Sequence, residues 1–334
     1  MKIRMGLIGA GRMGKVFAHT LAFTVSEVEL LAVADIDPQA CQEAAARYGV
    51  KYHYTDYHEL LRREDIDAVV IVTPTATHAE VIQAAAAFGK HIFSEKPLAQ
   101  TLEMCDQAIA AVDKAGVKLQ LGFMRHFDPA YVMAKKRIDA GEIGKPVMFR
   151  STSRDPKRTS LEFARRENSG GLIMDMGVHD FDLARWLMGS EVVRVQSEGG
   201  CLVYPELKEV GDIDNAIINL KFANGAIGSI DVSRNAVYGY DIRSEVLGSE
   251  GGLLIGKLQQ TATLVMTRQG VMHDTVPYFM ERFGEAYSAE IRDFVACILE
   301  DRPPSVTGQD ARKATAIGIA ATRSLDEGQP VEVS

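Results

Sequence analysis

The sequence predicts an α/β chain in two parts. An N-terminal, doubly wound parallel sheet spans residues 1–123, and an α+β domain with a large, mainly antiparallel, open-faced sheet spans residues 124–334. Three observations carry this reading. Short β-rich runs alternate with helical stretches through the first part. A glycine motif sits where the first strand meets the first helix. Beyond Val192 strands dominate, and Asn224-Gly225 and Gln269-Gly270 mark turns.

In the first part, apolar Ile3–Ile8 ends at Gly9. Leu30–Ala34, Tyr52–Tyr54, Ala68–Val72, His91–Ser94 and Lys118–Phe123 are the further expected strands. Helices are expected over Arg12–Ala22, Pro38–Tyr48, Tyr57–Arg63, His78–Phe88 and Leu102–Ala115. Asp37 before Pro38 reads as an N-cap followed by proline at the first helical position. Gly49, Gly89 and Gly116 stand where helices should stop.

In the second part, Asp128–Ala140 reads as a helix and Pro146–Thr152 as a strand. The Arg-rich stretch from Ser153 to Asn168 is long for a plain connection, and reads either as a functional cover or as a solvated loop with a helical turn at Leu161–Arg166. Ile218, Leu220 and Phe222 alternate with Asn219 and Lys221, then turn at Asn224-Gly225 into Ala226–Ser233. Tyr238–Leu247, Ala262–Thr267 and Val271–Val276 are expected to extend the sheet, and Phe283–Glu300 and Ala311–Asp326 to close it as helices. Helices on one face would leave the other for an oligomer interface.

Length and composition narrow the function. The chain has 334 residues, room for two domains at about 150 residues each. With 46% apolar and 25% charged residues it is neither disordered nor fibrous. A net charge of −8 without a basic run argues against nucleic acid, because neutralising phosphates needs clustered Lys and Arg. Cys41, Cys105, Cys201 and Cys297 form no C-x-x-C pair, which argues against a zinc site or redox dithiol and suits a reducing compartment. No apolar run approaches the ~18 residues of a membrane span, and the run after Lys2 is too short for a signal peptide. A cytoplasmic protein is expected.

Gly9-Ala10-Gly11-Arg12-Met13-Gly14 fits G-x-G-x-x-G between a strand and a helix, and Asp35 follows Gly14 by 35 − 14 = 21 residues at the end of the second strand. In this Rossmann fingerprint Gly9 allows the tight turn, Gly11 admits a pyrophosphate to the backbone and Gly14 lets helix and strand pack. Asp35 should bond an adenosine ribose and repel a 2′-phosphate, so NAD is the expected cofactor. The carboxyl ends of the later strands should border the same crevice, bringing in Thr73, Pro74, His78, Glu95 and Lys96. Pro97 restrains Lys96 and makes it a positioned cation; a solvated lysine is the plain alternative.

In the second part, Asp175 and His179 are four residues apart, so on a helix they share one face and make a competent proton-transfer pair. The plain alternative is an N-cap aspartate and a structural histidine. A metal held by His179, Asp180 and Asp182 is disfavoured, since those side chains point to different helix faces.

Gly9–Gly14, Glu95-Lys96-Pro97 and Asp175-x-x-x-His179 together make nearly the whole chain resemble the Gfo/Idh/MocA oxidoreductase family, closest to its inositol 2-dehydrogenase branch. Gly122-Phe123-Met124-Arg125-His126-Phe127-Asp128 is similar to a segment of that branch, with His126 where Arg is usual, as are Ser153-Arg154-Asp155-Pro156 and Tyr238-Gly239-Tyr240-Asp241. The resemblance implies that Lys96 holds the reacting hydroxyl, His179 takes its proton, and Asp175 binds a neighbouring hydroxyl and orients His179. It also implies Met124 at the nicotinamide or substrate, Arg125 and Asp155 lining a polyol pocket, Tyr238 reaching the same or a neighbouring subunit's site, and a homotetramer. The expected reaction is NAD-dependent oxidation of a secondary hydroxyl of a cyclic polyol, myo- or scyllo-inositol. A pyranose-sugar dehydrogenase is the alternative, and a non-catalytic NAD-linked sugar sensor the remote one.

Overall fold

Six short runs make the first sheet: β1 (Ile3–Ile8), β2 (Val28–Ala34), β3 (Tyr52–Tyr54), β4 (Ala68–Ile71), β5 (His91–Glu95) and β6 (Leu119–Gly122). They pair in the order β3-β2-β1-β4-β5-β6, all parallel. Every residue of β4 is buried, which is why it reads as a continuous apolar run rather than an alternating one. The order reverses between β1 and β4, the switch point where such sheets bind ligands.

The connecting helices are α1 (Arg12–His19), α2 (Pro38–Tyr48), α3 (Tyr57–Leu61), α4 (His78–Ala87) and α5 (Leu102–Ala115). The expected caps are present: Asp37 accepts from Gln39 N at the start of α2, and Gly49 and Gly116 take left-handed conformations after α2 and α5. Where one helix was expected to Ala22, α1 stops at His19 and a π-helical turn, Thr20–Thr24, follows.

This computed structural model describes residues 2–334, and they divide into two compact units. One is the chain up to Phe127 together with Glu285–Thr315; the other is Asp128–Gly284 together with Ala316–Ser334. The returning segment completes the core of the first unit. Phe17 and Phe93 meet at 5.3 Å between ring centroids, Tyr287 packs on Phe17 at 5.9 Å, and Phe294 on Phe93 at 6.0 Å. Burying each such ring is worth about 1.5–3 kcal/mol.

The second unit carries α6 (Pro129–Asp139), β7 (Pro146–Arg154), the single turns α7 (Leu161–Ala164) and α8 (Arg166–Ser169), α9 (Val178–Met188), β8 (Val192–Gly200), β9 (Asn215–Phe222), β10 (Ile227–Ser233), β11 (Asp241–Gly248) and β12 (Gly252–Ile255). Strands β13 (Gln259–Thr267) and β14 (Gly270–Thr275) follow, then α10 (Phe279–Leu299), α11 (Gly308–Glu327) and β15 (Val331–Glu332). The large sheet runs β12-β11-β7-β10-β9-β8-β15. It is mixed: β7 and β10 are parallel and the other pairs antiparallel. Strands β13 and β14 were expected in this sheet but form a separate two-stranded one.

Alternation sorts the large sheet's two faces. Ala216, Ile218, Leu220 and Phe222 of β9 are buried, while Ile217 is 53% exposed. On the covered face Asp180 of α9 accepts from Ser151 (2.5 Å) and Ser153 (2.7 Å) of β7, so this completely buried carboxylate is turned to the sheet. Among the described residues no helix is long and apolar enough to cross a membrane.

Candidate active site

In the first unit the site is built mainly of backbone. Gly9 has φ +103°, and a Cβ there would stand 2.7 Å from the Val72 carbonyl oxygen. A Cβ on Gly14 would run into the carbonyl of Gly9. Gly11 differs: nothing lies within 4 Å of the position its Cβ would take. That open space adjoins the N-terminus of α1, whose amides have no side-chain cap and no acidic residue in the first turn. Free amides beside an open cradle fit a pyrophosphate. Arg12 is exposed and Met13 half-buried on that first turn. Asp35 Oδ2 accepts from Ala10 N (2.5 Å) and Oδ1 from Asp37 N (2.9 Å). The carboxylate therefore braces the glycine loop, and its remaining lone pairs stay suited to ribose hydroxyls.

The loops after β4 and β5 are tied together. His78 is fully buried; its ring nitrogens lie 2.9 Å from the Thr73 carbonyl and 2.8 Å from the Pro97 carbonyl. Burial pushes its pKa down, while the two carbonyls oppose the fall. His78 was expected at the cofactor, but its ring joins two protein loops because both nitrogens face main chain. Thr73 is half-buried, accepting from the Thr77 hydroxyl at 2.8 Å, and Pro74 is exposed. Glu95 is buried and accepts from the amide of Lys96 at 3.1 Å; Lys96 is half-buried and joined to Pro97 by a cis bond. Met124 and Arg125 are buried in a single 3₁₀ turn, Met124–Phe127. Sequence reasoning missed Glu290, a fully buried acid whose pKa burial raises, helped by the charge of nearby Glu95.

In the second unit the site is built of charge. Gly170 and Gly171 both have positive φ and lead into a π-helical turn, Ile173–Gly177. Asp175 lies in that turn and His179 in α9, so the pair does not share one α-helix as expected. Single π-helical turns concentrate at functional sites. Asp175 and His179 are both half-buried. Arg234 Nη2 donates to Asp175 Oδ2 at 3.4 Å and lies 3.6 Å from Asp212 Oδ2. Asp212 Oδ1 accepts from Leu172 N at 2.8 Å. Burial raises the Asp212 pKa, although the Arg234 charge and the Leu172 amide oppose the rise. Arg234 and Asp212 were also missed; the available signal was a polar residue directly after the alternating run Ile227–Ser233.

The parallel β7–β10 pair sets the C-terminal ends of those strands side by side. Asp155 N donates to the Ser233 carbonyl at 2.8 Å, and Ala236 N to the Asp155 carbonyl at 2.9 Å. Tyr238 donates to Asp241 at 2.9 Å and accepts from Arg154 at 3.0 Å, while Arg154 pairs with Asp231. The Arg-rich stretch is stitched down: Arg158 pairs with Glu206 and Arg166 with Asp326, each at 2.8 Å. Those charges are neutralised within the unit, and they make the stretch a fastened segment.

Comparison with known proteins adds to this geometry. Residues 3–123 match the family model described as "Oxidoreductase family, NAD-binding Rossmann fold", and residues 135–333 the one described as "Oxidoreductase family, C-terminal alpha/beta domain", both of the Gfo/Idh/MocA group. The chain is 41% identical to a scyllo-inositol 2-dehydrogenase (NAD(+)) of Bacillus subtilis, covering 99% of this chain and 96% of that one. It is 39% identical to a myo-inositol 2-dehydrogenase of Thermotoga maritima, covering 99% and 98%. The crystal structure of scyllo-inositol dehydrogenase from Lactobacillus casei with bound NAD(H) and scyllo-inositol superposes with a TM-score of 0.95 at 32% identity, covering 100% and 99%.

Proposed function

We propose, from the premise that this chain belongs to the Gfo/Idh/MocA oxidoreductase family and is an NAD-dependent dehydrogenase, that it oxidises one secondary hydroxyl of myo- or scyllo-inositol to the corresponding inosose. The observation that carries this reading is the charged set of the second unit, a half-buried Asp175 one turn before His179, in a chain whose full-length relatives are inositol dehydrogenases. NAD supplies the hydride acceptor for the carbinol carbon. The Gly9–Gly14 loop, with Arg12 and Met13, holds its pyrophosphate, and Asp35 its adenosine ribose. Thr73, Pro74 and Met124 line the nicotinamide side, while His78 and Glu95 brace the loops.

Lys96 donates to the reacting hydroxyl and stabilises the negative charge that builds on its oxygen. His179 accepts the hydroxyl proton, so the alcohol loses one hydride and one proton as C–O becomes C=O. Asp175 accepts from a neighbouring hydroxyl and orients His179. Arg125, Asp155 and Tyr238 supply further polyol contacts. Lys96, Asp175 and His179 in one chain favour a catalyst over a sugar sensor. We further read the enzyme as a cytoplasmic homotetramer. Four free cysteines support a reducing compartment, and exposed Ile217, Ile227 and Leu247 on the open sheet face support burial against other copies.

A panel of inositol isomers and aldopyranoses, read by NADH absorbance, tests the substrate. Highest kcat/KM on myo- or scyllo-inositol is expected. Highest kcat/KM on an aldopyranose, or no turnover of any inositol, overturns the reading.

A further inference from the structure

Arg234 is the largest fully buried side chain in the described structure, with a relative exposure of 1%. An interior guanidinium is costly unless acceptors surround it. Here one terminal nitrogen serves two acids, Asp175 at 3.4 Å and Asp212 at 3.6 Å, and the buried Nε meets no acceptor. The arginine is held from behind: its amide donates to the Asp214 carbonyl at 2.9 Å. Asp214 in turn accepts from the amides of Leu202, Val203 and Tyr204 at 2.6–2.8 Å. Side-chain exposure across the trio is 1% for Arg234, 2% for Asp212 and 21% for Asp175. Two acids share one cation, and Asp175 is the member that reaches open space.

We propose that Arg234 is a positioning residue for the reaction: it holds Asp175 as an oriented carboxylate able to accept a hydrogen bond from a substrate hydroxyl. Within the trio Asp212 is the acid that competes with Asp175 for the one cation. It is the deeper acid, its Oδ1 is already engaged by the Leu172 amide, and burial raises its pKa. The long separations suit the task, since Asp175 can lean toward a hydroxyl without losing its ion pair. The inference rests on Asp175 as the substrate-side acid of the proposed function.

Other charges face the trio. Arg166, paired with Asp326, packs beside Gly171 and feels Asp212. His179 follows Asp175 by four residues, and Asp214 precedes the arginine's backbone partner strand. Cys201 donates to the Asp212 carbonyl at 3.0 Å, with Lys208 and Glu206 near it. None of these is altered in the variants below, so their contribution is common to every arm.

The experiment is carboxyl NMR of the full chain with side-chain-labelled aspartate, the Asp175 signal being assigned with D175N. Kinetics on the best polyol accompany it. In R234Q the Asp175 carboxyl should bind protons about ten- to a thousandfold more tightly, the usual effect of losing a neighbouring cation. In D212N, which removes a competing negative charge and retains an acceptor for Leu172, the Asp175 titration should move the other way. R234K should restore most of the wild-type titration. KM for polyol should rise in R234Q, with NAD⁺ affinity unchanged.

An Asp175 signal that titrates at one pH in all these proteins overturns the inference. D212N decides alone if R234Q does not fold. Because the titration needs no substrate, it is read even if the chain oxidises no inositol. Movement of Asp175 in that event sinks the polyol reading and leaves the role of Arg234 standing.

Discussion

On the proposed function, the two units hold polar ligands by different means. The first uses shape: positive φ at Gly9, a missing side chain at Gly11, open amides at α1 and main-chain carbonyls braced by His78. The second uses charge: Asp175 in a π-helical turn, with Arg234 just after β10 and Asp212 just before β9. A shaped backbone tolerates little added volume, whereas a charged cluster tolerates little change in protonation. Substitutions in the two units should therefore fail in different ways, and the following measurements test that contrast.

The largest effect is expected at the proposed base. His179→Ala should lower kcat by about 10²–10⁴-fold, the worth of a positioned general base, with NAD⁺ affinity nearly unchanged. Wild-type oxidation should also fall as pH drops, because the base must be neutral to take the proton. A folded His179→Ala enzyme with near-native turnover would assign the proton to another group.

Next comes the shaped backbone. Gly9→Ala forces a Cβ against the Val72 carbonyl at φ +103°. Strain of this kind costs on the order of 1–3 kcal/mol. Weaker NAD⁺ binding and a lower Tm should appear together, with polyol KM little changed at saturating NAD⁺. If calorimetry finds native NAD⁺ affinity, the loop does not carry the cofactor.

A smaller effect is expected at the ribose contact. D35S combined with I36R should move the kcat/KM preference toward NADP⁺, because it removes a repelling carboxylate and adds a cation on an exposed neighbour. Equal use of both cofactors by the native enzyme would count against Asp35 as the discriminator.

The smallest concerns Glu290. Its folded-state pKa is raised above the ordinary 4.5, so its favourable contribution is complete below that value and is lost as pH rises toward the raised one. The limiting slope is about 1.4 kcal/mol per pH unit. Glu290→Gln should flatten that decline, seen as a smaller loss of Tm between mildly acidic and alkaline buffers. Parallel Tm curves for the two proteins would show that Glu290 does not titrate differently on folding.

The same contrast explains what was legible in the sequence. Gly9, Gly14, Asp35, the Asp37 cap and the glycine stops announce themselves because turn conformations and helix ends are encoded within a few residues. The alternation of β9 exposed one sheet face for the same reason. Arg234 and Asp212 did not appear, because nothing local joins them to Asp175, 59 and 37 positions away (234 − 175 and 212 − 175). Nor did the parallel pairing of β7 with β10 or the separation of β13 and β14, since strand neighbours depend on chain path rather than composition. The π-helical turn at Asp175 is likewise invisible to a spacing argument built on α-helical geometry.

The return of Glu285–Thr315 into the first unit has a consequence for how the protein is made. The ribosome delivers β6 long before Tyr287 and Phe294 exist, yet Phe17 and Phe93 need them as neighbours. Synthesis at about 5–20 residues per second leaves on the order of 10–40 s between Gly122 and Thr315. For that interval the nucleotide-binding sheet carries unsheltered aromatic surface, the kind of surface that chaperones bind. A gene fragment ending at Phe127 would keep that surface exposed permanently, so the complete glycine fingerprint in such a fragment would not make it a soluble NAD-binding module.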